Sequence, residues 1–587
     1  MSTARGEGTS ASAAGWLALC VVLLGALALD LVPLLPGILR GSPANASELV
    51  TNCVRFLGVA LSMLVALCAL AVPLTANVYT PKLIELFVAD RWNRAVISYF
   101  VVANVVALWN SYLVTVAPED VAVRPRALFC LALTIGGMLT IGPYLLYVLR
   151  FLVPRSIVTR IQQEVVASLD GLDAESEDAE HDAGIARAVT NIQYLGKVTL
   201  RSIQRHDRDV AAEGLRALEE VFHAYQARKP YLPARALRPH CRDALGLSPE
   251  LALEIERKQA VIEVAILQEL GLLLPVAIST DVGEVISQLA ALTRHLGVRV
   301  AERGDDGAAE MVLLHFNTFI REALREHSAD AFYKLVYQYR RLAQEVAERR
   351  PQLTLKVAFF LDYYAHQAVK MRLPYLVNVV AYDLAALCED AFRREAPQRE
   401  RLLEQFVALD RDDPEIVSMP GVVKAQIILA AKLATIGVAE AAARLERELG
   451  KVPAPVLRET FAAIVAARDE HFWEIADRRR HLDHVEPEYR EAVSALRGRL
   501  TGEQVPGRAT ARFLGAAAAP ALRAVEPVAE AALREAPLAA PPAAEDPLAA
   551  ETPPAAEEPS AVEIPPAEAP PPRGAPAARP EGQTGAE

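Results

Sequence analysis

The sequence predicts an all-α membrane protein: an N-terminal four-helix transmembrane region, a cytoplasmic helical-repeat domain (an irregular α-solenoid or a bundle), and a disordered Pro/Ala/Glu-rich tail. Three observations predict it. Uncharged apolar stretches crowd residues 16–149, amphipathic i, i+3, i+4 patterns recur through 185–500, and 17 of the 39 prolines gather between Pro506 and Pro580. With 52% hydrophobic residues and a mean hydropathy of +0.19, the 587-residue chain is too apolar for an ordinary soluble protein.

Residues 1–15 read as a disordered N-terminus, and 16–153 as the transmembrane domain. Spanning a hydrocarbon core about 30 Å thick takes about 20 apolar residues, and residues 56–76, 95–117 and 127–149 meet that length without a charge. A fourth span at 16–39 is interrupted by Asp30, Pro33 and Pro36. It reads as a span rather than a signal peptide, because the n-region has only Arg5 and the cleavage-like Ala44-Asn45-Ala46 lies too far along. Arg5, Lys82, Arg91, Arg94, Arg150, Arg155 and Arg160 flank one side of the spans, against Arg40, Arg55, Arg124 and Arg126 on the other. The bias predicts an inner-membrane protein with both termini cytoplasmic.

The stretch between the second and third spans, "NVYTPKLIELFVADRWNRAV", is expected to form a short helix lying at the lipid interface. Pro81 suits its first turn, with Thr80 available as N-cap. Leu83, Leu86 and Phe87 would then face acyl chains, Lys82, Arg91 and Arg94 would meet lipid phosphates, and Trp92 would mark the boundary. The alternative is a plain basic loop that only sets orientation. Within the spans, Asp30 is a candidate pathway group. Asn104 and Asn110 are expected to hydrogen-bond across helices, with Gly136, Gly137 and Gly142 permitting close approach.

The same stretch carries a family resemblance. Tyr79-Thr80-Pro81-Lys82-Leu83, Leu86-Phe87 and Asp90-Arg91-Trp92-Asn93-Arg94 resemble a bacterial family of predicted membrane proteins of unassigned function. Members place an aromatic-Ser/Thr-Pro-Lys/Arg turn after the second of about four spans. Gly142-Pro143-Tyr144 through Arg155 and Ile161-Gln162 is similar to that family's exit from the last span. The resemblance covers mainly residues 50–165 and departs later: where members carry Ser-Pro-Gly-Ile-Asn-Asp-Pro, this chain has "RSIQRHDRDVAAEGLRAL".

Residues 154–184 are expected to form a juxtamembrane helix and an acidic linker, "DGLDAESEDAEHD". Helices follow through 185–500, the first running from Val189 to Tyr225 with only weak interruption, and Ser248-Pro249-Glu250 opening another. Pro351, Pro374, Pro397 and Pro420 stand 23 residues apart, with Ser328 one interval upstream as an N-cap. Each interval fits one helix plus a turn. Leu353/Leu376, Val357/Val380, Ala358/Ala381 and Leu361/Leu384 fall in register.

Chemistry is sparsely signalled. No phosphate-binding glycine loop, nucleophile elbow or zinc-protease motif occurs, so no catalytic residue, cofactor or enzymatic activity is assigned. His481-x-x-His484, with Asp483 and Glu486, is crowded by Arg478, Arg479 and Arg480 and is expected to be a solvated helix end rather than a metal site. Residues 521–587 hold 12 acidic and 4 basic side chains, a net of −8 within the chain's −12, which leaves no basic footprint for nucleic acid. The leading expectation is a membrane-anchored helical scaffold that binds a cytoplasmic protein partner through residues 185–500, in contact with the bilayer and of open oligomeric state. The alternative is a channel or transporter regulated by that domain. Residues 501–587 are too poor in large apolar side chains to fold.

Overall fold

The computed structural model describes residues 43–118, 120–170, 178–232, 249–409, 416, 419–468, 478 and 481–503. The expected span at 16–39 with Asp30, the 1–15 segment and the tail from 504 lie outside the described residues. Within them the chain forms nineteen α-helices and no strand.

Three long apolar helices come first: α1 (Pro43–Val78), α3 (Arg91–Val116) and α4 (Val123–Phe151), with the short α2 (Lys82–Ala89) between the first two. They contain the expected spans at 56–76, 95–117 (to within a residue) and 127–149. Each packs against the other two. The seam follows a 3,4 spacing: Val50, Cys53, Leu57, Ala60 and Leu64 on α1 meet Phe100, Ala103, Ala107, Asn110 and Val114 on α3 and Ala127, Cys130, Thr134 and Gly137 on α4. Small residues let the backbones approach. A Cβ at Gly137 would sit 3.2 Å from the Phe100 ring, and one at Gly136 only 2.6 Å from the Tyr99 hydroxyl. That hydroxyl donates to the Leu133 carbonyl at 2.6 Å. Asn104 crosses the seam to the Leu57 carbonyl at 3.0 Å, and Asn110 donates to Val106 one turn back on its own helix while its side chain also meets Cys130 of α4.

The remaining helices are α5 (Pro154–Asp170), α6 (Asp178–Gln204), α7 (Arg208–Arg228), α8 (Pro249–Lys258), α9 (Val261–Ser279), α10 (Gly283–Arg303), α11 (Asp306–Arg325), α12 (Ala329–Val346), α13 (Pro351–Lys370), α14 (Pro374–Arg393), α15 (Arg399–Ala408), α16 (Pro420–Thr435), α17 (Ala439–Leu449), α18 (Ala454–Ala466) and α19 (Arg490–Thr501). From α9 to α15 each helix packs on the next, and from α9 to α16 each packs on the next but one. The result is a two-row solenoid, with α9, α11, α13 and α15 in one row and α10, α12, α14 and α16 in the other. The α6 helix extends the first row against α9, and α7 the second against α10.

A recurring turn explains the 23-residue interval. Asp281, Gly304 and His327 fall 23 residues apart, as do Arg372 and Glu395, and all have positive φ. At each, the next residue's N–H reaches back five residues: Val282 to Ala277, Asp305 to Val300, Ser328 to Ala323, Leu373 to Ala368 and Ala396 to Ala391. This C-cap ends one helix, and the same residue can start the next. Asp305 accepts from the Ala308 N–H and Ser328 from Ala331, while Pro351, Pro374 and Pro420 sit in the first turn of their helices. Pro397 lies two residues before α15, and so departs from the expected pattern.

Two expectations need correction here. The helix expected from Val189 to Tyr225 is two helices, broken where His206 adopts φ 57° and Asp207 caps α7 by accepting from Val210. The acidic stretch expected to be all linker enters α6 from Asp178. One helix was not foreseen as distinctive: α9 is apolar and long enough to cross a membrane by composition alone. It lies instead inside the protein, against α6, α7, α8, α10 and α11.

Candidate functional site

The residues singled out in the opening stretch converge where the apolar bundle meets the solenoid. Helix α2 is amphipathic, but its apolar face is covered by protein. Leu83 is fully buried, and Leu86 and Phe87 nearly so, while Ile84 and Val88 point outward. The expectation that Leu83, Leu86 and Phe87 rest on acyl chains is thereby overturned. The physical reason is that protein supplies a nearer apolar surface: α2 packs on α1 and α3, and the Phe87 ring meets Phe151 of α4 edge-on at 5.3 Å.

Lys82 is likewise withdrawn from the position expected for lipid phosphates. Its side chain is 8% exposed, and its ammonium pairs with Glu85 at 2.7 Å and with Glu164 of α5 at 3.2 Å. Burial pulls its pKa down, but the two carboxylates more than offset this and hold it above the ordinary lysine value. The Lys82 ammonium also lies 5.9 Å from the Tyr194 ring centroid on α6, and Arg205 stands 5.8 Å from the ring of Tyr79.

Asp90 is the hub. One carboxylate oxygen accepts from the Trp92 and Asn93 N–H groups, capping α3. The other accepts from the Tyr147 hydroxyl at 2.7 Å and from Arg160 of α5 at 3.2 Å. Burial raises the Asp90 pKa, but these four donors hold it below the usual carboxylate value. Arg160 also lies 4.2 Å over the Phe151 ring, and Asn93 donates to the Phe87 carbonyl at 2.9 Å. The bundle is thus fastened to α5, whose Ile157, Val158, Ile161, Val165 and Leu169 are buried in contacts with α6 and α7. Trp92 stays largely exposed. Sequence reasoning named Asp90 only as part of a motif, and the partners that make it a hub, Tyr147 and Arg160, are 57 and 70 residues away.

A second constellation lies on the solenoid row of α12, α14 and α16. Arg478 and residues 481–489, between α18 and α19, run across these helices as a strap. Arg478 inserts into a box made by the Tyr333 and Tyr337 rings, at 4.3 and 5.2 Å, and by the Asp383 carboxylate, which it grips with both terminal nitrogens. Asp383 is 2% exposed and is already held by Arg340 at 2.9 Å. Further along, Asp483 accepts from the Tyr382 hydroxyl and from Lys424 at 2.6 Å. Glu486 pairs with Lys432 at 3.4 Å, and Lys432 also with Glu389 at 2.9 Å. Tyr489 closes the strap against Arg393 and under Lys432. His484 is buried, so the expectation of a solvated helix end is corrected: acids Asp483 and Glu486 have basic partners on α16 that draw the segment down. Among the described residues no three His, Cys, Asp or Glu side chains are grouped to hold a metal ion.

Residues 9–205 match the family described as Predicted membrane protein (DUF2254), a wider stretch than the quoted motifs cover. The match ends at the α6–α7 turn, within the stretch where the chain departs from the family's later motif. No curated protein and no solved structure matches the chain.

Proposed function

We propose that this membrane protein is an anchored scaffold: its apolar helices sit in the bacterial inner membrane, and its solenoid presents a binding face to a protein partner in the cytoplasm. The observation that carries the reading is the strap. The face of α12, α14 and α16 holds Arg478, Asp483 and Glu486, Arg478 through Asp383 of α14 and the two acids through Lys424 and Lys432 of α16. Stacked helices characteristically use such a surface to grip partners. The junction around Asp90 and Lys82 supports the same reading, since it ties the solenoid to the anchor through charged contacts. Asn104 and Asn110 give their amide N–H groups to helix carbonyls, a role that fits packing better than conduction.

The test is site-specific photo-crosslinking in cells of the source bacterium. Photoreactive residues at Arg341, Ala386 and Ile428 sample the strap face, and Phe359 and Arg401 the opposite row. The reading expects a discrete protein adduct from the strap face that the other row does not give. No adduct at any position, together with solute flux through the reconstituted protein, would replace the scaffold reading with the channel one.

A further inference from the structure

Resting on the scaffold reading, we propose that the α12–α14–α16 face is a groove that reads a protein segment carrying an arginine followed five and eight residues later by acidic side chains. The strap is its resident stand-in.

The groove is built before anything enters it. Asp383 is fixed by Arg340, which is braced in turn by Gln344 at 2.6 Å, and Lys432 is held by Glu389. These partners belong to the helices alone, so the arginine box and the second lysine stand ready whether or not the strap is seated. Preorganisation of this kind lowers the entropy lost on binding. The box suits a guanidinium and not an ammonium, because two rings stack on a planar group while a carboxylate takes its two terminal nitrogens side by side. Lys424 and Lys432 then accept acids at the positions that Asp483 and Glu486 now fill.

Two features mark the strap as exchangeable, although Val485 and Tyr489 pack into the apolar core. At Arg478, Asp483 and Glu486 its contacts are ionic, and a buried ion pair often contributes no more to stability than apolar groups of the same size. It also fills the groove incompletely. A cavity of about 250 Å³ remains between strap and helices, lined by Tyr337, Arg340, Lys432, Arg478, His481 and His484 among others. The Arg478 Nε and His484 Nδ1 atoms are buried there and find no hydrogen-bond partner among the described residues. Each such orphan has lost its water without gaining a partner, which is unfavourable. A segment made for the groove would supply side chains to that space.

The experiment uses the full chain in lipid nanodiscs and a fluorescent peptide with the sequence of residues 474–492. In the variant Arg478→Ala/Asp483→Ala the strap loses its hold while every groove residue is kept. The peptide should bind this variant at least about tenfold more tightly than the wild type. Binding should vanish when the peptide's own arginine becomes alanine, or when Asp383→Asn is added to the protein. Equal binding to variant and wild type, with helix content and Tm unchanged, overturns the proposal. Should the double variant lose its fold, the wild type still decides. Excess peptide should accelerate hydrogen exchange at the strap amides 481–486, and unchanged exchange overturns the proposal. Failure of both peptide arms while face-specific crosslinks persist in cells would reject this groove chemistry and leave the scaffold reading in place.

Discussion

Mean hydropathy over an 18-residue window is 2.0 in α9 and 1.5 to 2.5 in α1, α3 and α4, yet 67% of the α9 window is buried inside the protein against 22% in each of the other three. The difference lies in neighbours and in a few charges. The bundle helices bury one narrow seam and turn Val59, Leu70, Val105, Leu108 and Phe129 outward, where lipid is the matching solvent. Helix α9 is enclosed by five partner helices, and it carries Glu263, whose carboxylate accepts from Gln226 at 2.7 Å and from Lys229 at 2.6 Å. Apolar composition therefore says that a helix must avoid water. What shields it is decided by the elements around it.

The largest expected effect comes from cutting into the enclosed helix. Leu270→Ala in α9 should destabilise the solenoid by about 2–5 kcal/mol, because the cavity left cannot collapse between packed helices. Leu108→Ala on the outer face of α3 should change stability in detergent by less than about 1 kcal/mol. Thermal unfolding of the two variants side by side checks this, and equal losses would break the comparison. Next is the junction. Asp90→Asn keeps an α3 cap but removes the charge facing Arg160 and Tyr147, and should lower stability at neutral pH by about 1–2 kcal/mol. The folded Asp90 pKa is depressed, so its contribution is complete above the unfolded value near 3.9 and is lost as pH falls through the folded one. Wild type and Asp90→Asn should accordingly converge in a stability titration carried below about pH 4.

Much of the solenoid was legible because its turns are local. Ser328, Pro351 and Pro374 announce helix starts by chemistry acting over four residues, and the spacing of buried Leu353, Val357 and Leu361 needs nothing distant. The left-handed turn residues were not legible, since His206, His327, Arg372 and Glu395 lack the glycine that usually signals such a cap. Contacts across the chain were invisible for a different reason. The amphipathic spacing of Leu83, Leu86 and Phe87 specifies a face to bury but not whether lipid or protein covers it, and the answer depends on Phe151. The strap was misread likewise, because Asp383 and Arg478 lie 95 residues apart.

The smallest effect sharpens the account of the turns. His327→Gly removes the strain of a side chain at φ 51° and should stabilise the solenoid by about 1 kcal/mol. The same change at Ser328 should destabilise instead, through loss of the hydroxyl that caps Ala331. Paired denaturant melts would show opposite signs.

The most direct test of the central contrast is labelling with a lipid-dissolved carbene in nanodiscs, with the modified residues located by mass spectrometry. The structure predicts modification at Val59, Val105, Leu108 and Phe129, and none at Val264, Leu270, Leu83 or Phe87. Label on α9 or on the inner face of α2, at a level matching the outer face of α3, would contradict it.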